Sequence, residues 1–259
     1  MDTQQSNSSS SRRPSARAVA LRALQAAPGT PFRASDILDA LPSAAARALS
    51  RLSRQGAIQR LRKGIYYIPK ETLLGKSTPP DAVVIQKMLP RRARPTGITA
   101  ANLLGMSTQM ASQPEFVVYA SSKPLGLDAA RLYLRPHLCD EEIEPRDGAL
   151  IEFIRDRGRY GELSANETCV RAREILRNGQ RLDGGDREAE LSNSDRLRRL
   201  RDVALREPPR VRAILGALMQ SAGLPEILWR PLRESLNPLS RFDFGPFRAL
   251  SEAWEWQAK

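Results

Sequence analysis

The sequence predicts an α+β protein in two parts: an N-terminal winged helix-turn-helix, then a larger mixed α/β C-terminal domain with a helical C-terminal part. Three observations lead there. Residues 34–68 set two short helical patterns on either side of a proline. The second pattern ends at a glycine, and an arginine-rich hairpin with a Tyr-Tyr pair follows. The charge is lopsided: the 259-residue chain carries +12, and residues 1–70 alone hold 12 basic against 3 acidic side chains. Farther along, helical patterns are interrupted by short Val- and Tyr-rich runs that read as strands.

Residues 1–13 are too polar to bury anything and read as a disordered tail. The DNA-binding domain is expected over 14–70. Its first helix is predicted from Ser15, a cap, to Ala27, with Pro28-Gly29 as the stop. Phe32 packs where the chain turns. Ser35 caps a short helix over 36–41 that Pro42 ends, and Ser43 caps a third, Ala44 to Gln55, with Gly56 as the residue after its C-cap. Ile58 to Leu61 and Ile65 to Ile68 read as strands, joined by Arg62-Lys63-Gly64.

Residues 71–80 read as a polar connector, and 81–259 as the second domain. Within it, helices are expected over 81–89, 99–104, 149–156, 169–176, 195–206 and 210–221. Strands are expected over 116–120 and 131–134, with a loop or link over 177–194.

The third helix carries the chemistry. Ala45, Ala48, Leu49 and Leu52 make its inward stripe. Arg47, Arg51 and Arg54 stand at i, i+4 and i+7 and project from another face with Ser50. Duplex DNA admits a helix into its major groove, where arginine can pair with guanine or phosphate. Recognition helices usually insert N-terminus first, so Ser43 and Arg47 are the candidate base readers. Arg51 suits base or phosphate, as does Ser50, and Arg54 suits phosphate. Arg60, Arg62 and Lys63 lie at or near the hairpin tip, within reach of the backbone or an adjacent minor groove. Strand alternation sends one of Tyr66 and Tyr67 to the core. Tyr66 is the candidate for a phosphate contact. An arginine stripe alone is often a solvated face, and winged helices also bind RNA or protein. The order and adjacency of these features favour duplex DNA.

Other classes find little support. No apolar run reaches the ~18 residues of a membrane span, and the N-terminal stretch has no apolar region of a secretory signal. Cys139 and Cys169 are the only cysteines, which favours a reducing cytoplasm over a disulfide scaffold. His137-x-Cys139 offers two possible metal ligands with no second close pair, so no metal and no cofactor are expected. The acidic run Asp140-Glu141-Glu142-x-Glu144 reads as a solvated loop. There is no P-loop, no Gly-x-Gly-x-x-Gly and no Gly-x-Ser-x-Gly elbow, and no enzyme activity is expected. Arg196, Arg198, Arg199 and Arg201 offer a second nucleic-acid surface or a dock for an acidic partner. Glu190, Asp195 and Asp202 make pairing within the chain a rival reading.

The stretch ARALSRLSRQGAIQRLRKGIYYIPK resembles the N-terminal winged helix of AbiEi-type antitoxins of bacterial abortive-infection systems. The matching positions are Leu49, Leu52, Gly56, Ile58, Arg60, Leu61, Gly64, Ile65 and Tyr66. The segment TGITAANLLGMSTQ and the strand-like Glu115 to Ala120 after it are similar to the start of that family's second domain. The resemblance covers about residues 15–135. It implies a cytoplasmic, nucleoid-associated repressor that binds inverted repeats in its own promoter. It also implies that the C-terminal domain counters a nucleotidyltransferase-like toxin encoded next door, in the best-known branch without a stable complex. The alternatives are a regulator with no toxin partner and a winged-helix protein–protein adaptor.

Overall fold

A computed structural model describes residues 20, 23–34, 42–62, 64–73, 75–79, 83–85, 93–120, 130–135, 143–177 and 187–259, with backbone only at 42–45 and 187–192. The tail over 1–13, most of the first predicted helix, the helix over 36–41, Lys63, His137, Cys139 and residues 140–142 lie outside the described residues. The chain forms two units, residues 1–88 and 89–259. Several strands form small sheets beside multiple helices, and the class is mixed α+β.

In the first unit, helix α1 spans Pro42–Arg54. It begins at Pro42, not after a Ser43 cap, because proline's fixed φ and missing N–H suit a first helical turn. Ala48, Leu49 and Leu52 are buried and cluster with Ala23, Phe32 and Ile58. Gly56 ends the helix at φ +73, with its N–H bonded to Ser53 O at 3.1 Å and Ala57 N–H to Leu52 O at 3.1 Å. That pair of bonds satisfies carbonyls the last turn leaves open, and only the left-handed φ allows it.

Strands β1 (Phe32–Arg33), β2 (Gln59–Arg62) and β3 (Ile65–Tyr67) form one antiparallel sheet in the order β1-β3-β2. Gly64, at φ +78, turns β2 into β3. The pairing shifts between Arg60 and Arg62. Phe32 was expected only to pack at a turn; it also pairs with Tyr66 across the sheet. The polar connector is not featureless. Strands β4 (Lys70–Thr72) and β5 (Gly75–Ser77) make a second, two-stranded hairpin. Of the helix expected over 81–89, residues 83–85 are described and helical, with Val84 and Ile85 buried.

In the second unit, β6 (Ala93–Pro95), β7 (Glu115–Tyr119) and β8 (Arg131–Arg135) form a sheet in the order β6-β7-β8. β6 runs antiparallel to β7, and β8 parallel to it. Helix α2 (Gly97–Leu103) leads from β6 toward β7, and α3 (Pro145–Arg155) and α4 (Ala165–Arg177) follow β8. Helices α5 (Arg187–Ala204), α6 (Pro209–Ser221) and α7 (Glu226–Glu234) and a 3-10 turn (Gly245–Ala249) complete the unit.

The core runs from Phe153 and Leu150 of α3 through Leu176, Leu200 and Leu218 to Phe244, Phe247 and Trp256. The link expected over 177–194 is too long, since residues 187–194 belong to α5. The start of α4 is fixed by a reciprocal cap. Ser164 N–H donates to Glu167 Oε2 at 2.9 Å, and Glu167 N–H donates to Ser164 Oγ at 3.3 Å. Proline again opens a helix in α3, at Pro145. No helix among the described residues is long and apolar enough to cross a membrane.

Candidate nucleic-acid interface

Residues 42–70 hold seven basic side chains and no acidic one. Helix α1 sorts them by burial. Leu49 is fully buried, while Arg47, Ser50, Arg51 and Arg54 are exposed. Four polar positions thus share the solvent flank of a helix whose other flank packs on its own unit. Arg54 Nη2 reaches Ser50 Oγ at 3.5 Å, at the outer limit of a hydrogen bond. Ser43 sits in the first turn, and its side chain lies outside the described residues.

The adjacent hairpin adds Arg60, exposed, and Arg62, half-buried. Arg60 Nε donates to Arg62 O at 3.3 Å, which folds the arginine side chain back along its own strand. Lys63, expected at the turn, lies outside the described residues. The two tyrosines split as strand geometry requires. Tyr67 is buried and its hydroxyl donates to Gln59 Oε1, its partner across β2. Tyr66 is half-buried and stacks on Phe32 with ring centroids 6.2 Å apart. Tyr66 therefore packs against the helical core at the same time as it borders solvent. Lys70 and Lys76 are exposed on the second hairpin, Lys76 3.8 Å from Glu71.

The arginines of the second unit behave differently. Arg196, read as part of a second nucleic-acid surface, is buried. It donates to Asp147 through Nε at 2.8 Å and Nη2 at 2.5 Å, and to Ile175 O at 3.1 Å. Burial pushes the Asp147 carboxyl up, and Arg196 counters it. Arg201 pairs with Asp202, Arg198 with Asp195 at 3.3 Å, and Arg199 bonds Asp195 O at 3.3 Å. Of the surface predicted over Arg196, Arg198, Arg199 and Arg201, Arg196 is thus withdrawn into the fold, while Arg198 and Arg201 pair with acids one or three residues away and Arg199 bonds a backbone carbonyl.

Others hold helix ends. Arg171 Nε donates to Leu104 O at 2.9 Å, Arg177 Nε to Ala222 O at 2.9 Å, and Arg212 Nη1 to Ser235 O at 3.0 Å. Leu104, Ala222 and Ser235 are the C-caps of α2, α6 and α7. Helix C-termini carry unpaired carbonyls and a partial negative charge, so a guanidinium there satisfies both.

A buried ionic network joins sheet to helices, and periodicity carries no sign of it. Glu152 of α3 is fully buried and accepts from Arg135 Nη1 at 2.8 Å and the Tyr119 hydroxyl at 3.1 Å. Glu207 accepts from Arg94 Nη1 at 2.8 Å and pairs with Arg155. Arg94 also lies 4.7 Å over the Tyr119 ring. Burial, then the Glu152 carboxylate, raises the Tyr119 hydroxyl. With both carboxylates held by guanidinium groups, the network ties β6, β7 and β8 to α3. Glu144 precedes α3 and lies 3.6 Å from Arg196. No group of three or more His, Cys, Asp or Glu that could hold a metal occurs among the described residues.

Residues 25–124 match the model of a family of unknown function (DUF6088), a stretch that runs from before β1 through β7. No curated protein matches the chain. Among solved structures the chain is similar to the crystal structure of the RV2827C protein from Mycobacterium tuberculosis, at 13% identity and a TM-score of 0.41, over 87% of this chain and 83% of that one.

Proposed function

We propose that this protein is a DNA-binding transcriptional autorepressor whose first unit is a winged helix-turn-helix. Helix α1 enters the major groove, and the β2–β3 hairpin contacts the backbone beside it. One observation carries the reading: Arg47, Ser50, Arg51 and Arg54 stand on the exposed flank of a helix whose opposite flank is buried, in a stretch with no acidic residue. An exposed flank rich in arginine suits a polyanion.

The resemblance of residues 46–70 to AbiEi-type antitoxins extends the proposal. The protein is the antitoxin of an abortive-infection toxin–antitoxin pair, it works at the nucleoid, and its functional partner is a nucleotidyltransferase-like toxin. The operator is an inverted repeat in its own promoter. A gel shift with the DNA upstream of its own gene tests the core of this. The wild-type protein retards that DNA, and the Arg47→Ala/Arg51→Ala double variant does not. Equal retardation by both removes α1 from the groove. The toxin half is checked separately, by an adjacent nucleotidyltransferase-like frame whose toxicity this protein relieves on co-expression.

A further inference from the structure

Two residues after β3, the chain makes a second hairpin that the winged-helix outline does not require. β4 pairs with β5 in the register Lys70↔Ser77, Glu71↔Lys76 and Thr72↔Gly75. Both strands lie largely in solvent. A lone two-stranded hairpin is marginal in water, so something must hold it. Part of the answer is internal. Thr72 Oγ1 donates to Gly75 O at 2.6 Å across the turn, and Ser77 Oγ donates to Lys70 O at 3.2 Å. Lys76 sits 3.8 Å from Glu71. Those contacts hold the two strands to each other, and Leu73, just past β4, stands at 106% relative exposure. A leucine so placed offers its isobutyl group to water, and the group gains when something apolar covers it.

The surroundings say what that is. The hairpin follows directly on the 42–70 stretch of seven basic and no acidic residues, which ends at Lys70, and itself carries Lys76 opposite Glu71. A polyanion is the partner this charge selects. Five residues separate Ile65, where the first hairpin turns back, from Lys70. At about 3.3 Å per extended residue the chain between them reaches at most about 17 Å, the order of the half-turn of about 17 Å that separates neighbouring grooves of B-DNA. Minor-groove proteins insert apolar wedges, leucine among them, between base steps next to basic side chains.

We propose that the β4–β5 hairpin is a second DNA-contacting arm, and that Leu73 is a wedge that enters the minor groove beside the site read by α1 and unstacks a base step. The proposal rests on the reading of the first unit as a duplex-DNA binder. Lys70 holds a phosphate beside the tip, and Lys76 holds a second on leaving its 3.8 Å contact with Glu71.

Permanganate footprinting tests it, with the duplex upstream of the protein's own gene as probe, because permanganate attacks unstacked thymines. The wild-type protein creates reactive thymines within its footprint. Leu73→Ser abolishes them and weakens binding about five- to tenfold, as expected for losing one buried leucine less the cost of unstacking. Leu73→Phe keeps them. Guanine N7 protection in the major groove is unchanged in both variants, and so is the melting temperature, since Leu73 packs on nothing it would leave empty. If Leu73→Ser binds and reacts as wild type does, the wedge is wrong and the DNA reading stands. If Leu73→Ser instead changes only the sedimentation of the free protein, the tip is a protein contact and the proposal falls. Absence of any wild-type binding at low salt overturns both.

Discussion

Arg196 and Asp147, 49 residues apart in the chain, form a two-pronged buried pair, with Nε to Oδ2 at 2.8 Å and Nη2 to Oδ1 at 2.5 Å. The pair clamps α5 to α3, and Nη2 also reaches Ile175 O in α4. An arginine that reads in sequence as one of a basic set is thus a junction of three helices.

Removing one partner leaves the other charged and buried. Arg196→Ala and Asp147→Ala are each expected to destabilise the second unit by about 3–5 kcal/mol. The double variant Arg196→Met/Asp147→Leu, which leaves no orphan charge, should lose much less. Urea unfolding of the three proteins checks this; equal losses would mean that the pair contributes shape and not charge.

The exposed arginines predict the opposite pattern. Arg54→Gln should leave the melting temperature unchanged and weaken binding to specific and unrelated duplexes alike. If Arg54 holds one phosphate, the slope of log K against log salt should become less steep by about 0.9. Fluorescence anisotropy across a salt series measures it.

Gly216 lies mid-helix in α6, where a Cβ would overlap the six-membered ring of Trp256. Trp256 is fully buried, and its indole N–H donates to Gln220 Oε1 at 2.6 Å, so the ring has no room to retreat. Gly216→Ala normally favours a helix. Here it is expected to destabilise by about 1–3 kcal/mol through overpacking. Thermal melts of Gly216→Ala with and without Trp256→Leu decide the cause, since the smaller side chain should remove the penalty.

Glu162 gives a pH signature. The Thr108 backbone N–H, with side-chain donors around it, holds its carboxyl down at about 2, against the ordinary 4.5. The ionised form is therefore favoured by folding. Its contribution is complete above about pH 4.5 and is lost as pH falls toward 2. Glu162→Gln should narrow the difference between melting temperatures at pH 6 and pH 3 relative to wild type. An unchanged difference would show that the Thr108 contact carries no linkage.

Among the described residues of the first unit, three features were legible in local pattern. The apolar stripe Ala48, Leu49, Leu52 faces inward, Gly56 takes the left-handed φ that ends the helix, and Gly64 turns the hairpin. Each is a short-range rule, set by 3.6-residue periodicity or by the absence of a Cβ. The Ser164-x-x-Glu167 cap was equally visible and would have placed the start of α4 four residues earlier than expected. The β4–β5 hairpin was hidden because Lys, Glu, Thr and Ser carry no apolar alternation.

What the chain's order of residues determined by itself is the polarity of α1, the turns beside it and the concentration of positive charge in the first quarter. Tertiary structure decided which arginines remain outward. Arg94 meets Glu207 across 113 positions, and Arg171 reaches the end of α2 across 67. Likewise only packing separates Trp256, buried, from Trp254, exposed, two residues away. The reason is range: a guanidinium's partner is whatever the folded chain brings within about 3 Å, and no local spacing records that distance in advance.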